Sequence, residues 1–155
     1  MSFRALGLPL SPFEPLFALS DAELARRGMT RVIAGEKPGF PCRASLEDAE
    51  PGERVILLPF EHQPAHSPYR ASGPIFVREA ARETFDRIDV VPPVLRGRML
   101  SLRGYDNADC IVEADVVSGD LVEEAITRFF ARDDVAYIHI HNAKRGCFAC
   151  RIGRA

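Results

Sequence analysis

The sequence predicts an α+β fold in a single domain spanning residues 1–155, with a mostly antiparallel mixed sheet, one main crossover helix and several short helices. Three observations lead to this prediction. The chain has 155 residues, the usual size of one domain. Its second half shows a strand pattern, a helix pattern and another strand pattern in that order, which favours a helix crossing one face of a sheet. Its first half holds most of the 12 prolines, so helices there must be short.

The first half is predicted to alternate short helices with strands. Ser20 and Glu23 have the spacing of a capping box, which predicts a helix over 21–27. A strand is predicted over 30–34, and the apolar run 55–58 predicts a central strand covered on both faces. Shorter patterns predict a turn of helix at 45–52, a strand at 75–77 and a short helix at 79–85.

Residues 60–74 are predicted to form a long loop, and such loops are often functional. This segment contains His66, Tyr69 and Arg70, which together offer a proton carrier, an aromatic ring and a guanidinium able to bind a carboxylate or phosphate. The alternative is an ordered connector in which Arg70 binds backbone carbonyls.

The second half has the clearest helix. Residues 96–101 and the alternating segment 110–117 predict a hairpin. Asp120 and Glu123 have the spacing of a second capping box. A helical apolar stripe follows, comprising Leu121, Val122, Ala125, Ile126, Phe129 and Phe130.

The strand predicted over 135–141 carries the side chains best suited to catalysis or metal binding. Tyr137, His139 and His141 share one face of it, because side chains alternate along a strand. Two imidazoles at this spacing can hold one metal ion if a further ligand arrives. Two other readings remain open, namely half-exposed structural histidines and a metal-free polar site in which a histidine carries protons.

Cysteine spacing limits the choice of further ligands. The metal set predicted from the sequence is His139, His141 and Cys147, with Zn as the possible cofactor; His62, His66 and Cys150 are the other candidates. Cys147 and Cys150 differ by an odd number of residues and would point to opposite faces of a straight strand. Cys150 falls in step with Phe148 and Ile152, which favours a core position.

Composition and charge exclude several classes of protein. The net charge is −2, which argues against a general nucleic-acid binder. No apolar run is long enough to cross a membrane and no signal-peptide core is present, so we expect a cytoplasmic protein with free cysteines. Two segments are nevertheless basic and lack acids: 95–103, with Arg96, Arg98 and Arg103, and 135–155, with Lys144, Arg145, Arg151 and Arg154.

These features favour a domain that binds a small anionic molecule, although they identify no complete catalytic set. The predicted pocket comprises His66, Tyr69, Arg70, Arg98, Tyr137, His139 and His141. One alternative is a metal-dependent enzyme, with Zn or Fe, built on the His-x-His strand. Another is a protein-interaction domain without catalytic activity.

The chain also resembles the bacterial family known as domain of unknown function 1203. The matching segments span most of the chain: 41–43, 66–77, 95–98 through 104–106, and 137–142 through Cys147. The resemblance implies a stand-alone bacterial domain. It carries over no catalytic, binding or cofactor residue.

Overall fold

Two antiparallel sheets form the framework of the protein in a computed structural model that describes all 155 residues. The strands are β1 (Phe3–Leu6), β2 (Thr30–Ile33), β3 (Arg54–Gln63), β4 (Ala71–Arg78), β5 (Asp86–Ile88), β6 (Met99–Tyr105), β7 (Ile111–Ser118), β8 (Tyr137–Asn142) and β9 (Phe148–Arg154). The α-helices are α1 (Asp21–Arg26) and α2 (Val122–Phe130), and short 3-10 helices cover Glu14–Ala18, Pro93–Leu95 and Gly119–Leu121. The predicted α+β class with mostly antiparallel strands is confirmed.

The larger sheet has the strand order β5-β1-β9-β8-β6-β7. Helix α2 joins β7 to β8, which flank β6, so the predicted helical crossover is confirmed. Phe129 and Phe130 of α2 are buried in one apolar cluster with Leu102, Ile138 and Ile140 of the sheet. The helix therefore covers one face of the larger sheet and leaves the other face to the rest of the chain.

The two predicted capping boxes have different outcomes. The box at Ser20 and Glu23 forms, with both reciprocal hydrogen bonds, and begins α1. The box predicted at Asp120 does not form. The Ser118 hydroxyl instead accepts a hydrogen bond from the backbone N–H of Asp120, so a 3-10 turn precedes α2 and Leu121 is exposed. A serine hydroxyl can accept from the backbone N–H two residues later, so Ser118 caps the start of this segment and the helix begins after the 3-10 turn.

The smaller sheet has the order β2-β3-β4 and corrects the loop predicted over 60–74. β3 extends to Gln63 and β4 begins at Ala71, so the connection is a hairpin turn. Pro59 and Pro74 face each other in this hairpin, beyond the residues of β3 that pair with β2. A proline is tolerated there because one side of the strand needs no backbone donor.

The helices predicted at 45–52 and 79–85 are absent, because tertiary hydrogen bonds replace local ones. The backbone N–H of Ala49 donates to the Phe40 carbonyl, and that of Phe85 donates to the Ala44 carbonyl. Leu46 has a positive φ of 54°, which no α-helix allows.

A second apolar cluster lies against the smaller sheet and contains side chains from the first 24 residues, including Phe13 and Leu24. All four cysteines are unpaired. The longest α-helix has nine residues, and no helix combines the length and hydropathy needed to cross a membrane.

Candidate metal centre

The face of the larger sheet opposite α2 carries a row of polar and aromatic side chains. In the strand register, His139 lies between Arg103 of β6 and Arg151 of β9. Tyr137 pairs with Tyr105 of β6 in the next row. Tyr137 and His139 lie on the same face because side chains alternate along a strand, as predicted for β8 from the sequence.

A bulge between β8 and β9 brings Phe148 to the same face. The register shifts at His141, so Phe148 lies opposite this histidine while Cys150 stays in the core beneath α2. The Phe148 ring stacks on His62 at a centroid distance of 5.3 Å and lies 5.1 Å from the His139 ring. The sequence placed Phe148 in step with Cys150; the bulge separates them by adding one unpaired residue.

Three histidines converge above this face. His139 and His141 come from β8, and His62 comes from the end of β3, where the long hairpin reaches over the larger sheet. The His62 ring centroid lies 5.0 Å from that of His141 and 6.4 Å from that of His139. One ring nitrogen of each histidine lies within 4.8 Å of the others.

The three histidines also have buried ring nitrogens that lack hydrogen-bond partners. Each has one buried ring nitrogen without a partner, and these are the only such side-chain atoms in the protein: His62 Nδ1, His139 Nδ1 and His141 Nε2. Burying a polar atom without a partner costs about 1–3 kcal/mol. Three such atoms in one cluster form a potential site for an ion or a water molecule that would supply the missing interaction.

The histidines are held in the neutral form that binds metals. Burial lowers the pKa of His139 to about 3, with the charge of Arg151 contributing in the same direction. Burial also lowers the pKa of His141 to about 4, and that of His62 below its usual value. His141 Nδ1 lies 2.9 Å from the Gly146 carbonyl, so it carries the proton and donates, leaving Nε2 with its lone pair.

Tyrosines form one wall of the site. The Tyr137 hydroxyl donates to Asp109 Oδ1 at 2.5 Å and accepts from Gln63 Nε2 at 2.9 Å. The Tyr137 ring stacks on Tyr105 at 5.1 Å, and Tyr69 meets Tyr105 edge-on at 6.3 Å. Burial raises the pKa of Tyr137 to about 12, with Asp109 contributing in the same direction, so this phenol stays protonated.

The hairpin turn supplies less to the site than the sequence predicted. Tyr69 reaches the tyrosine wall, but His66 is exposed and Arg70 forms an ion pair with Glu61. His66 and Arg70 line a separate cavity of about 290 Å³ at the turn. The structure therefore brings His139, His141 and Tyr137 together with Tyr69, and leaves His66 and Arg70 outside the histidine cluster.

Cys147 and Arg98 also lie outside the cluster. The Cys147 thiol accepts a hydrogen bond from the buried Arg43 guanidinium at 3.1 Å and a longer one from Asn142. Arg98 binds Asp48, with a shortest N–O distance of 2.6 Å. Both residues line a cleft of about 590 Å³. His62, one of the further ligand candidates from the sequence, takes the third position that the sequence assigned to Cys147.

Two contributors to the site carry no sequence signal that identifies them. Gln63 and Asp109 orient Tyr137 from remote parts of the chain. Arg103 and Arg151 belong to the basic segments of the sequence, and their positions beside His139 depend on strand pairing.

Comparison with known proteins identifies a family but no characterised relative. A family model described as "Protein of unknown function (DUF1203)" matches residues 39–154, which include all three clustered histidines. No curated protein and no solved structure matches the chain significantly. The matched region covers most of the sequence and agrees with the resemblance seen in its segments, and the chain therefore belongs to this family of unknown function.

Proposed function

We propose that the protein binds a divalent transition-metal ion, with Zn²⁺ as the reference metal, through His62, His139 and His141. One observation carries the proposal: three neutral histidines converge with ring nitrogens within 4.8 Å, and each has a buried nitrogen that lacks a partner. Imidazole nitrogens suit Zn, Fe, Ni and Cu.

The ligand set favours a reactive centre over a purely structural one. Structural zinc sites usually have four protein ligands, most often including thiolates, whereas three histidines leave a position for water or a bound molecule. No cysteine belongs to the cluster. A metal held in this way would lower the pKa of a bound water or polarise an oxygen of a substrate. The chemistry of this family member is therefore proposed to be metal-assisted.

The neighbouring residues support the same role. The Gly146 carbonyl fixes the tautomer of His141, the kind of outer contact that orients metal-binding histidines. Phe148 packs against the imidazoles and limits their rotation. The rings are thus held in place before a metal arrives.

The test is metal analysis of untagged protein purified without chelator, followed by zinc titration of metal-free protein. We expect about one zinc ion per chain at saturation. The variants H62Q, H139Q and H141Q should each weaken zinc binding by more than the roughly 10- to 100-fold that loss of an outer contact causes. Co²⁺ substitution gives a second readout, because its visible absorption reports nitrogen coordination.

H66Q is the matched control, since it removes an exposed histidine from the same hairpin without touching the cluster. It should bind zinc like the wild type. Failure to bind Zn²⁺, Co²⁺, Ni²⁺ or Fe²⁺ stoichiometrically, or unchanged binding in H139Q with far-UV circular dichroism intact, would remove the basis of the proposal.

The setting we propose is the bacterial cytoplasm. Four unpaired cysteines are typical of a reducing compartment. Cell fractionation with an antibody against the native protein would test this placement.

A further inference from the structure

Two arginines flank the histidine cluster on its own sheet face. Arg103 of β6 and Arg151 of β9 are both register partners of His139, one on each side. Directly opposed residues in neighbouring strands have Cβ atoms about 4.5–5.5 Å apart and extend from the same face. The side chains of Arg103 and Arg151 therefore leave the sheet next to His139, on the same face.

Neither arginine is neutralised within the protein. Half-buried Arg103 and exposed Arg151 make no side-chain hydrogen bond and no ion pair. The remaining half-buried or buried arginines are all partnered: Arg31, Arg43, Arg78 and Arg98. Arg103 is the only arginine that is not exposed and yet lacks a partner. A partly desolvated guanidinium without a partner is costly, and a bound anion would supply the missing acceptor.

Arg151 is positioned by a different contact. Its guanidinium lies 4.0 Å from the centroid of the Tyr137 ring, within the range of a cation–π interaction. The Tyr137 hydroxyl is in turn held by Asp109 and Gln63. The tyrosine wall thus holds Arg151 beside the cluster and leaves the N–H groups of its guanidinium without acceptors.

The local charge is positive without compensation. Burial lowers the pKa of each clustered histidine, and the charge of Arg103 contributes in the same direction. Two carboxylates on the elements that bear the site have other partners, since Asp109 accepts from Tyr137 and Glu61 pairs with Arg70. A divalent metal on three neutral imidazoles would add two more positive charges, and such a site attracts anions.

On the basis of the proposed metal centre, we propose that Arg103 and Arg151 clamp a small oxyanion that also occupies the open coordination position of the metal. The ligand class is a small molecule with a carboxylate or phosphate group. The guanidinium fork fits either group through two parallel hydrogen bonds, and the metal would bind a further oxygen of the same group. The two arginines are thus assigned to substrate or ligand recognition, beside the histidines that hold the metal.

Calorimetric titration of zinc-loaded protein with inorganic phosphate and, separately, with acetate tests this assignment. The wild type should bind at least one of the two anions, and the tighter one identifies the group. R103M and R151M should each weaken that binding by at least about tenfold, because each removes a charge-assisted contact. R145M is the matched control, since Arg145 is an exposed cation without a partner in the turn between β8 and β9; it should stay within about twofold of the wild type.

Zinc affinity in the same variants gives an independent readout. R103M and R151M should retain zinc and bind it as tightly as the wild type or more tightly, because a repelling charge is removed. Zinc-loaded wild type that binds neither anion, or R103M and R151M that bind anions like the wild type, would overturn the clamp while leaving the metal centre intact. A wild type that binds no metal would instead overturn the proposed function.

Discussion

The buried imidazoles should make the metal-free protein sensitive to mild acid. The perturbation is a change from about pH 7 to about pH 4.5 in the presence of a chelator. In the unfolded chain a histidine has a pKa of about 6.5. In the folded protein, burial lowers the pKa of His139 to about 3 and that of His141 to about 4. Between these two pH values the unfolded state therefore binds protons at these histidines, whereas the folded state remains neutral there.

This difference in pKa sets the direction and the size of the change in the free energy of unfolding with pH. Above about pH 6.5 both states are neutral at these residues and the full stability is present. As the pH falls below about 6.5, each histidine lowers the free energy of unfolding by up to about 1.4 kcal/mol per pH unit. Over about two pH units the pair removes on the order of 3–5 kcal/mol, a large share of the roughly 5–15 kcal/mol available to a domain.

Urea unfolding followed by far-UV circular dichroism measures this loss, since the chain has no tryptophan for fluorescence. The titration stops at about pH 4.5, because the aspartates whose pKa values are lowered by hydrogen bonds contribute mainly in stronger acid. These are Asp86, Asp89, Asp115 and Asp134. The double variant H139Q/H141Q should lose most of the pH dependence, and H66Q should keep it. A wild type that loses less than about 1 kcal/mol over this range, or a double variant with an unchanged slope, would show that burial of these histidines does not control the acid sensitivity.

Three further predictions concern the framework beneath the site, each measured by urea unfolding at neutral pH. Phe129→Ala should destabilise the protein by about 3–5 kcal/mol, because this fully buried ring is central to the core under α2; a loss below about 1 kcal/mol would contradict that position. Gly119→Ala should destabilise it severely, since the added Cβ would lie 1.8 Å from the Leu95 carbonyl oxygen, whereas Gly73→Ala, with open space around it, should be nearly neutral; equal effects would count against the close approach. Ser20→Ala should cost about 1 kcal/mol through loss of the capping box of α1, and no change would show that the box is unimportant.

The helices show how far local pattern predicts structure. α1 forms where Ser20 and Glu23 predicted it, and α2 carries the apolar stripe read from the sequence. Caps and periodicity act between residues a few positions apart, so the sequence alone contains the information. The helices predicted at 45–52 and 79–85 are absent because their backbone groups bond to residues remote in the chain.

The long hairpin is a second region where local sequence patterns predicted the wrong structure. Its prolines predicted a loop, yet β3 and β4 continue past them because Pro59 and Pro74 lie where no third strand needs their backbone donors. This extension carries His62 over the larger sheet. A loop assignment could list His62 as a candidate ligand but could not choose it over His66.

The shared strand face of Tyr137, His139 and His141 could be predicted without a structure, because side-chain alternation is a property of consecutive residues. Three other features depend on the tertiary fold: His62 completes the cluster, Phe148 reaches it through a bulge, and Cys147 accepts a hydrogen bond from Arg43. The positions of Arg103 and Arg151 on either side of His139 depend on it as well. These placements depend on which strands pair and in what register, and pairing is set by the packing of the whole core, which no local pattern encodes.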